Sequence, residues 1–144
     1  MFRIKLECIL DKAIDEVFDA ITDHANYKQF PGIDGSILVK EGKHEKNGTG
    51  ALRIISASPF KLTERITHFE KPSCMKYHIE TSSPISMRHD KGEITLEVVD
   101  DKTKVIWISE GHMEIPIIGS VFDKAIEFKI SKAFHAILKY IEAN

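Results

Sequence analysis

The C-terminal segment SVFDKAIEFKISKAFHAILKYIEA, Ser120 to Ala143, repeats apolar residues at helical spacing without a break. Phe122, Ile126, Ile130, Ala133, Phe134, Ile137 and Ile141 form one stripe, and Ser120, after Gly119, is placed to cap its start. At 1.5 Å per residue such a helix spans roughly 35 Å, long enough to cross a whole small sheet. A stripe of that length has to be covered from end to end, so the rest of the chain must supply a broad surface.

The preceding residues read as strands. Phe2, Ile4, Leu6, Cys8 and Leu10 alternate with Arg3, Lys5 and Glu7. Asp11 is placed to cap a short helix with apolar positions Ile14, Val17, Phe18 and Ile21, ending near Thr22. Asp23 is placed to cap a second short helix, closed by Pro31 and Gly32. Strands then follow in pairs: Ile33–Glu41 with Ala51–Ala57, Phe60–Phe69 with Cys74–Thr81, and Gly92–Val99 with Val105–His112. The turn signals GKHEKNGTG, EKPS and DDKT join the members of each pair, which implies an antiparallel meander. Ile94, Leu96 and Val98 alternate with Glu93, Thr95 and Glu97, whereas VIWIS is apolar at both phases and leaves open which face Trp107 takes. The expected class is α+β, with one principal helix covering the sheet.

With 144 residues, 42% of them hydrophobic and 29% charged, the chain is expected to form a single domain spanning 1–144, an ordinary globule rather than a disordered or membrane protein. A formal charge of -2 and the lack of a basic stripe argue against a nucleic-acid partner. The two cysteines, Cys8 and Cys74, form no CxxC, and the N-terminus has no apolar signal run, so a cytoplasmic location is expected. The NGT sequence at Asn47 to Thr49 reads as a turn.

The order of elements, with AIDEVFDAITDHANYKQFPGI, LTERITHFEKP, MKYHIETSSP, TKVIW and a closing helix after IPIIG, resembles the START-like superfamily with the helix-grip fold. Within it the chain is most similar to the polyketide cyclase/dehydrase and lipid-transport group. The resemblance implies a curved antiparallel sheet of about six to seven strands wrapped around the C-terminal helix, with two short helices after the first strand. It also implies carriage of hydrophobic small molecules, lipids, quinones or polyketides between sheet and helix, with cyclisation or dehydration in some members. It supplies no universal catalytic residue.

Glu64 is the most informative position, because Phe60, Leu62 and Ile66 share its phase and a carboxylate facing an apolar interior is costly unless paired or wet. An ion pair with Arg53 on the preceding strand is the favoured reading, and a cavity carboxylate serving as acid, base or ligand partner is the functional one. Tyr77 shares a strand face with Met75 and Ile79 and reads first as a core aromatic, second as a ligand contact through its hydroxyl. Trp107 ranks above Glu110 and His112 on the last strand, since alternation separates it from both. Ile126, Ile130 and Phe134 complete the expected ligand-binding set from the helix side.

The seven histidines form no HxH or HExxH spacing and most fall in polar loops or exposed phases, so no metal is expected. Neither GxSxG, GxGxxG nor GxxxxGK[ST] occurs, and no cofactor is expected. The EIPIIG loop, Glu114 to Gly119, reads as a plug for the end of the core, with cavity gating or insertion into a membrane or partner as the alternative. The first functional expectation is binding, transport or sequestration of a hydrophobic small molecule or lipid. A cyclase or dehydratase using Glu64 and Tyr77, a quinone-binding or membrane-delivery protein, and an interaction module without ligand are the alternatives.

Overall fold

The alternation at the N-terminus becomes strand β1, Phe2–Leu10, whose even-numbered side chains face inward. The computed structural model describes residues 1–144. Helix α1, Ile14–Ile21, buries Val17, Phe18 and Ile21, and Asp15 and Glu16 in its first turn complement the positive end of its dipole. A 3-10 segment, His24–Gln29, follows in place of the second short α-helix, and it buries His24 and Tyr27. Then come β2 Gly35–Lys40, β3 Leu52–Ala57, β4 Phe60–Glu70, β5 Cys74–Ser83, β6 Met87–Val99, β7 Lys102–Met113 and helix α2 Gly119–Ala143.

The strands form one antiparallel sheet in the order β1-β7-β6-β5-β4-β3-β2. Each hairpin pairs consecutive strands, and β1 closes on β7 from Phe2↔Gly111 to Leu10↔Thr103. The result is the helix-grip fold, with α2 laid against β1 and β7. On β7, Val105, Trp107 and Ser109 face the interior, while Ile106 and Ile108 are half-buried on the other face, which accounts for the strand being apolar at both phases.

Three expected caps are absent. The N-cap positions of α1 and α2 are Ala13 and Ile118, and neither they nor Asp23 before the 3-10 segment make a side-chain cap hydrogen bond. Tertiary packing rather than capping fixes these helix starts; in α2, Asp123 turns inward to accept the Met113 N–H at 2.8 Å. The plug reading of EIPIIG holds only for Ile115, which packs on the small cluster of Phe2, Ile4, Met113 and Ile126. Ile117 and Ile118 face solvent instead.

The core is divided along α2. Ile137, Leu138 and Ile141 join the main cluster with Val17, Phe18 and Ile21, whereas Ile126 joins the small cluster at the other end. Between these anchors Ile130, Ala133 and Phe134 are only half-buried. The helix is held at both ends, and the space beneath its middle is left incompletely filled.

Candidate functional site

Under the middle of α2 lies a cavity of about 120 Å³, bounded by 17 side chains, 14 of them hydrophobic. Of the residues expected from the sequence, Arg53, Glu64, Tyr77, Trp107, Ile130 and Phe134 all line it. Ile126 does not, because it is one helical turn too close to the N-terminus of α2 and is packed in the Phe2–Ile4–Met113 cluster. Apolar cavities of about 150 Å³ hold a benzene ring, so the space matches a ligand of roughly one ring without rearrangement.

The polar side of the cavity is built by cross-strand neighbours. Arg53 on β3 is directly paired with Glu64 on β4, which places both side chains on the inner face. Arg53 Nε and Nη2 both reach Glu64 Oε1, at 2.9 and 2.7 Å. Arg53 is 2% exposed and Glu64 5%, so this is a buried pair. The remaining guanidinium nitrogen, Nη1, donates to His24 Nδ1 at 3.0 Å, and His24 Nε2 then donates to the carbonyl of Asn47 at 2.8 Å. The Tyr27 ring lies 4.4 Å from the guanidinium carbon and adds a cation-π contact. Burial acts to lower the Arg53 pKa, but Glu64 and Tyr27 outweigh it and leave the pKa raised. Burial and the Arg53 charge push His24 down to about 3, so its imidazole is neutral.

A second network starts where the β5–β6 ladder stops. The two strands pair only at Cys74↔Thr95, Met75↔Ile94 and Lys76↔Glu93, although both run further. Beyond Tyr77 the imidazole of His89 takes over, accepting the Ile79 N–H at Nδ1 over 3.1 Å. Its Nε2 lies 3.1 Å from Ser109 Oγ, and its ring stacks on Tyr77 with centroids 5.6 Å apart. Trp107 Nε1 donates to the Tyr77 hydroxyl at 2.9 Å, and the indole stacks on Phe134 of α2 at 3.9 Å. Burial first, then the neighbouring His78, push His89 down to about 4, while Asp90 opposes them. Burial raises the Tyr77 pKa, so its hydroxyl keeps its proton.

Gly92 makes this arrangement possible. A Cβ there would stand 2.6 Å from the Tyr77 carbonyl oxygen, 2.7 Å from His89 Cε1 and 2.8 Å from Tyr77 Cε2. Only a bare backbone lets both rings approach that closely.

Four polar residues of the site, His24, Tyr27, His89 and Ser109, escaped the sequence reading. Ser109 was legible as the next inward position after Trp107 on one strand. His89 was not, because β6 begins at Met87 rather than Gly92 and a register shift between His89 and Lys91 resets the phase. His24 and Tyr27 depend on the 3-10 segment, whose side chains follow no amphipathic period. No group of three or more His, Cys, Asp or Glu side chains is placed to hold a metal ion.

A curved sheet gripping one long helix over an apolar cavity defines a START-like domain. The family model described as polyketide cyclase / dehydrase and lipid transport matches residues 1–144, and the chain belongs to that family. A START superfamily protein from Mycobacterium smegmatis is similar in structure with a TM-score of 0.78 at 9% identity, covering 99% of each chain. Ara h 8.0201 gives 0.73 at 17% identity, over 99% of this chain and 98% of the other. The di-domain ARO/CYC protein BexL of the BE-7585A biosynthetic pathway gives 0.73 at 20% identity, with 99% of this chain matching 47% of that one. No curated protein sequence matches the chain.

Proposed function

We propose that residues 1–144 act as one ligand-binding domain that carries or sequesters a small hydrophobic molecule in the cavity beneath α2. The observation that carries this reading is the cavity itself, apolar on most of its wall yet supplied with a fixed ion pair and the buried hydroxyls of Tyr77 and Ser109. Apolar burial provides affinity and a few convergent polar groups provide orientation, which is the usual division of labour in small-molecule sites. At about 120 Å³ the ligand is of one-ring size, and a full lipid or polyketide would require α2 to move away from the sheet. Cys8 and Cys74 are both free, which supports a reducing, cytoplasmic setting, and no helix is long and apolar enough to cross a membrane.

The enzymatic alternative, a cyclase or dehydratase in which Glu64 moves a proton, has less support. Both Arg53 contacts fix Glu64 Oε1 as an acceptor within an ion pair, a poor starting point for a general acid. The decisive experiment is native mass spectrometry of the protein purified from its own host. A retained adduct of a small apolar organic molecule is expected. Protein that is ligand-free from its host and gives no binding of α-methylstyrene by calorimetry removes the reading.

A further inference from the structure

Of the three hydroxyls on the cavity wall, that of Tyr27 donates to the Ile21 carbonyl, and those of Tyr77 and Ser109 can be followed proton by proton. His89 Nδ1 accepts the Ile79 N–H, so the single proton of the neutral ring is on Nε2 and is donated to Ser109 Oγ. Tyr77 OH receives the indole N–H of Trp107. Each hydroxyl oxygen is therefore already an acceptor, and each group still carries its own proton. The two protons can serve at most one bond between the two hydroxyls, and no carbonyl or carboxylate of the protein accepts either. Both residues line the cavity.

We infer that the Tyr77–Ser109 pair presents one surplus hydroxyl donor to the cavity and so selects ring-sized ligands that carry an acceptor oxygen, such as a ketone, over apolar ligands of equal shape. His89 is the positioning residue: its tautomer, set by the Ile79 N–H, makes Ser109 receive a proton and leaves the hydroxyl pair with one too many. A histidine with the opposite tautomer would accept from Ser109 and remove the surplus. The absence of a side chain at Gly92 leaves His89 and Tyr77 room for the stacking contact on which this pattern depends.

This rests on the cavity being the ligand site, and the test separates the two claims. Acetophenone and α-methylstyrene are nearly isosteric, differing by C=O against C=CH2. Their affinities are measured by calorimetry, with the emission of Trp107, the one tryptophan of the chain, locating binding at the cavity. Acetophenone is expected to bind about fivefold tighter or better, the factor of one net hydrogen bond. In the Tyr77→Phe/Ser109→Ala double variant that preference is expected to disappear while α-methylstyrene still binds. The carbonyl stretch of acetophenone bound to the wild-type protein is expected below its position in hexane, a readout that needs no variant. Equal affinities in the wild type, an unshifted carbonyl stretch, or a preference that survives in the double variant would each overturn the donor assignment alone. Failure of both compounds to bind would overturn the cavity reading with it.

Discussion

Glu64 meets Arg53 in a place where neither charge reaches water, so the two side chains stabilise the fold only as a pair. Arg53→Met leaves the carboxylate uncompensated and is expected to lower unfolding stability by about 3–5 kcal/mol. Adding Glu64→Leu should restore most of that loss; chemical denaturation of the single and double variants checks it, and additive losses would show that the charges act independently. His89 gives the same environment a pH signature. Its pKa falls from 6.5 to about 4 on folding, so between those values the unfolded chain binds the extra proton. Stability from neutral His89 is fully present above pH 6.5 and declines as pH falls toward 4, by about 3 kcal/mol in all. His24, lowered to about 3, acts in the same direction. Denaturation midpoints from pH 7 to 5 should therefore fall with acidification, and His89→Gln should remove about half of the slope. An unchanged slope in that variant would place His89 in water. The Glu64–Arg53 pair was legible because strict alternation on two adjacent strands aligns them, whereas His89 was hidden by a bulge that no alternation announces.

At the level of elements, β5 and β6 show how a hairpin gives up ladder bonds to make room for a network of side chains. Their backbone pairing ends at Lys76↔Glu93, and a side chain, His89, satisfies the Ile79 amide that the ladder abandons. Gly92 is the hinge of that exchange. Gly92→Ala would drive a methyl group into the Tyr77 carbonyl and both stacked rings, and overpacking of this kind costs about 1–3 kcal/mol. The expected outcome is a lower melting temperature together with altered Trp107 emission, because Trp107 is bonded to the displaced Tyr77. Normal stability and emission would mean that the strands can part without consequence. The order of the strands and the long helix were legible from periodicity, since their apolar faces cover each other, but the starts of β6 at Met87 and β7 at Lys102 were not. Helix starts were not, because Asp11, Ser120 and Asp23 have the right chemistry for caps but the chain enters each helix through Ala13, Ile118 and an uncapped Asp23.

For the whole molecule, the cavity is a consequence of how α2 is held. Ile126 anchors one end and Ile137, Leu138 and Ile141 the other, so the helix cannot settle onto the sheet between them. The packing energy missing there is the cost of leaving the cavity unfilled, and filling it should recover stability at the expense of the binding proposed there. Ala133 lies on the cavity wall and is half-buried, so Ala133→Leu directs three added carbons into about 120 Å³ of empty space. Their burial is expected to raise unfolding stability by about 1–2 kcal/mol. The same variant should lose affinity for α-methylstyrene and acetophenone by at least tenfold, since the leucine occupies their volume. Both readouts are needed, because the two changes have one cause. A variant that gained stability while binding as before would show that ligands bind elsewhere. One that lost both would show that α2 is too firmly anchored to take a larger side chain, which would restrict natural ligands to the one-ring size of the cavity as it stands.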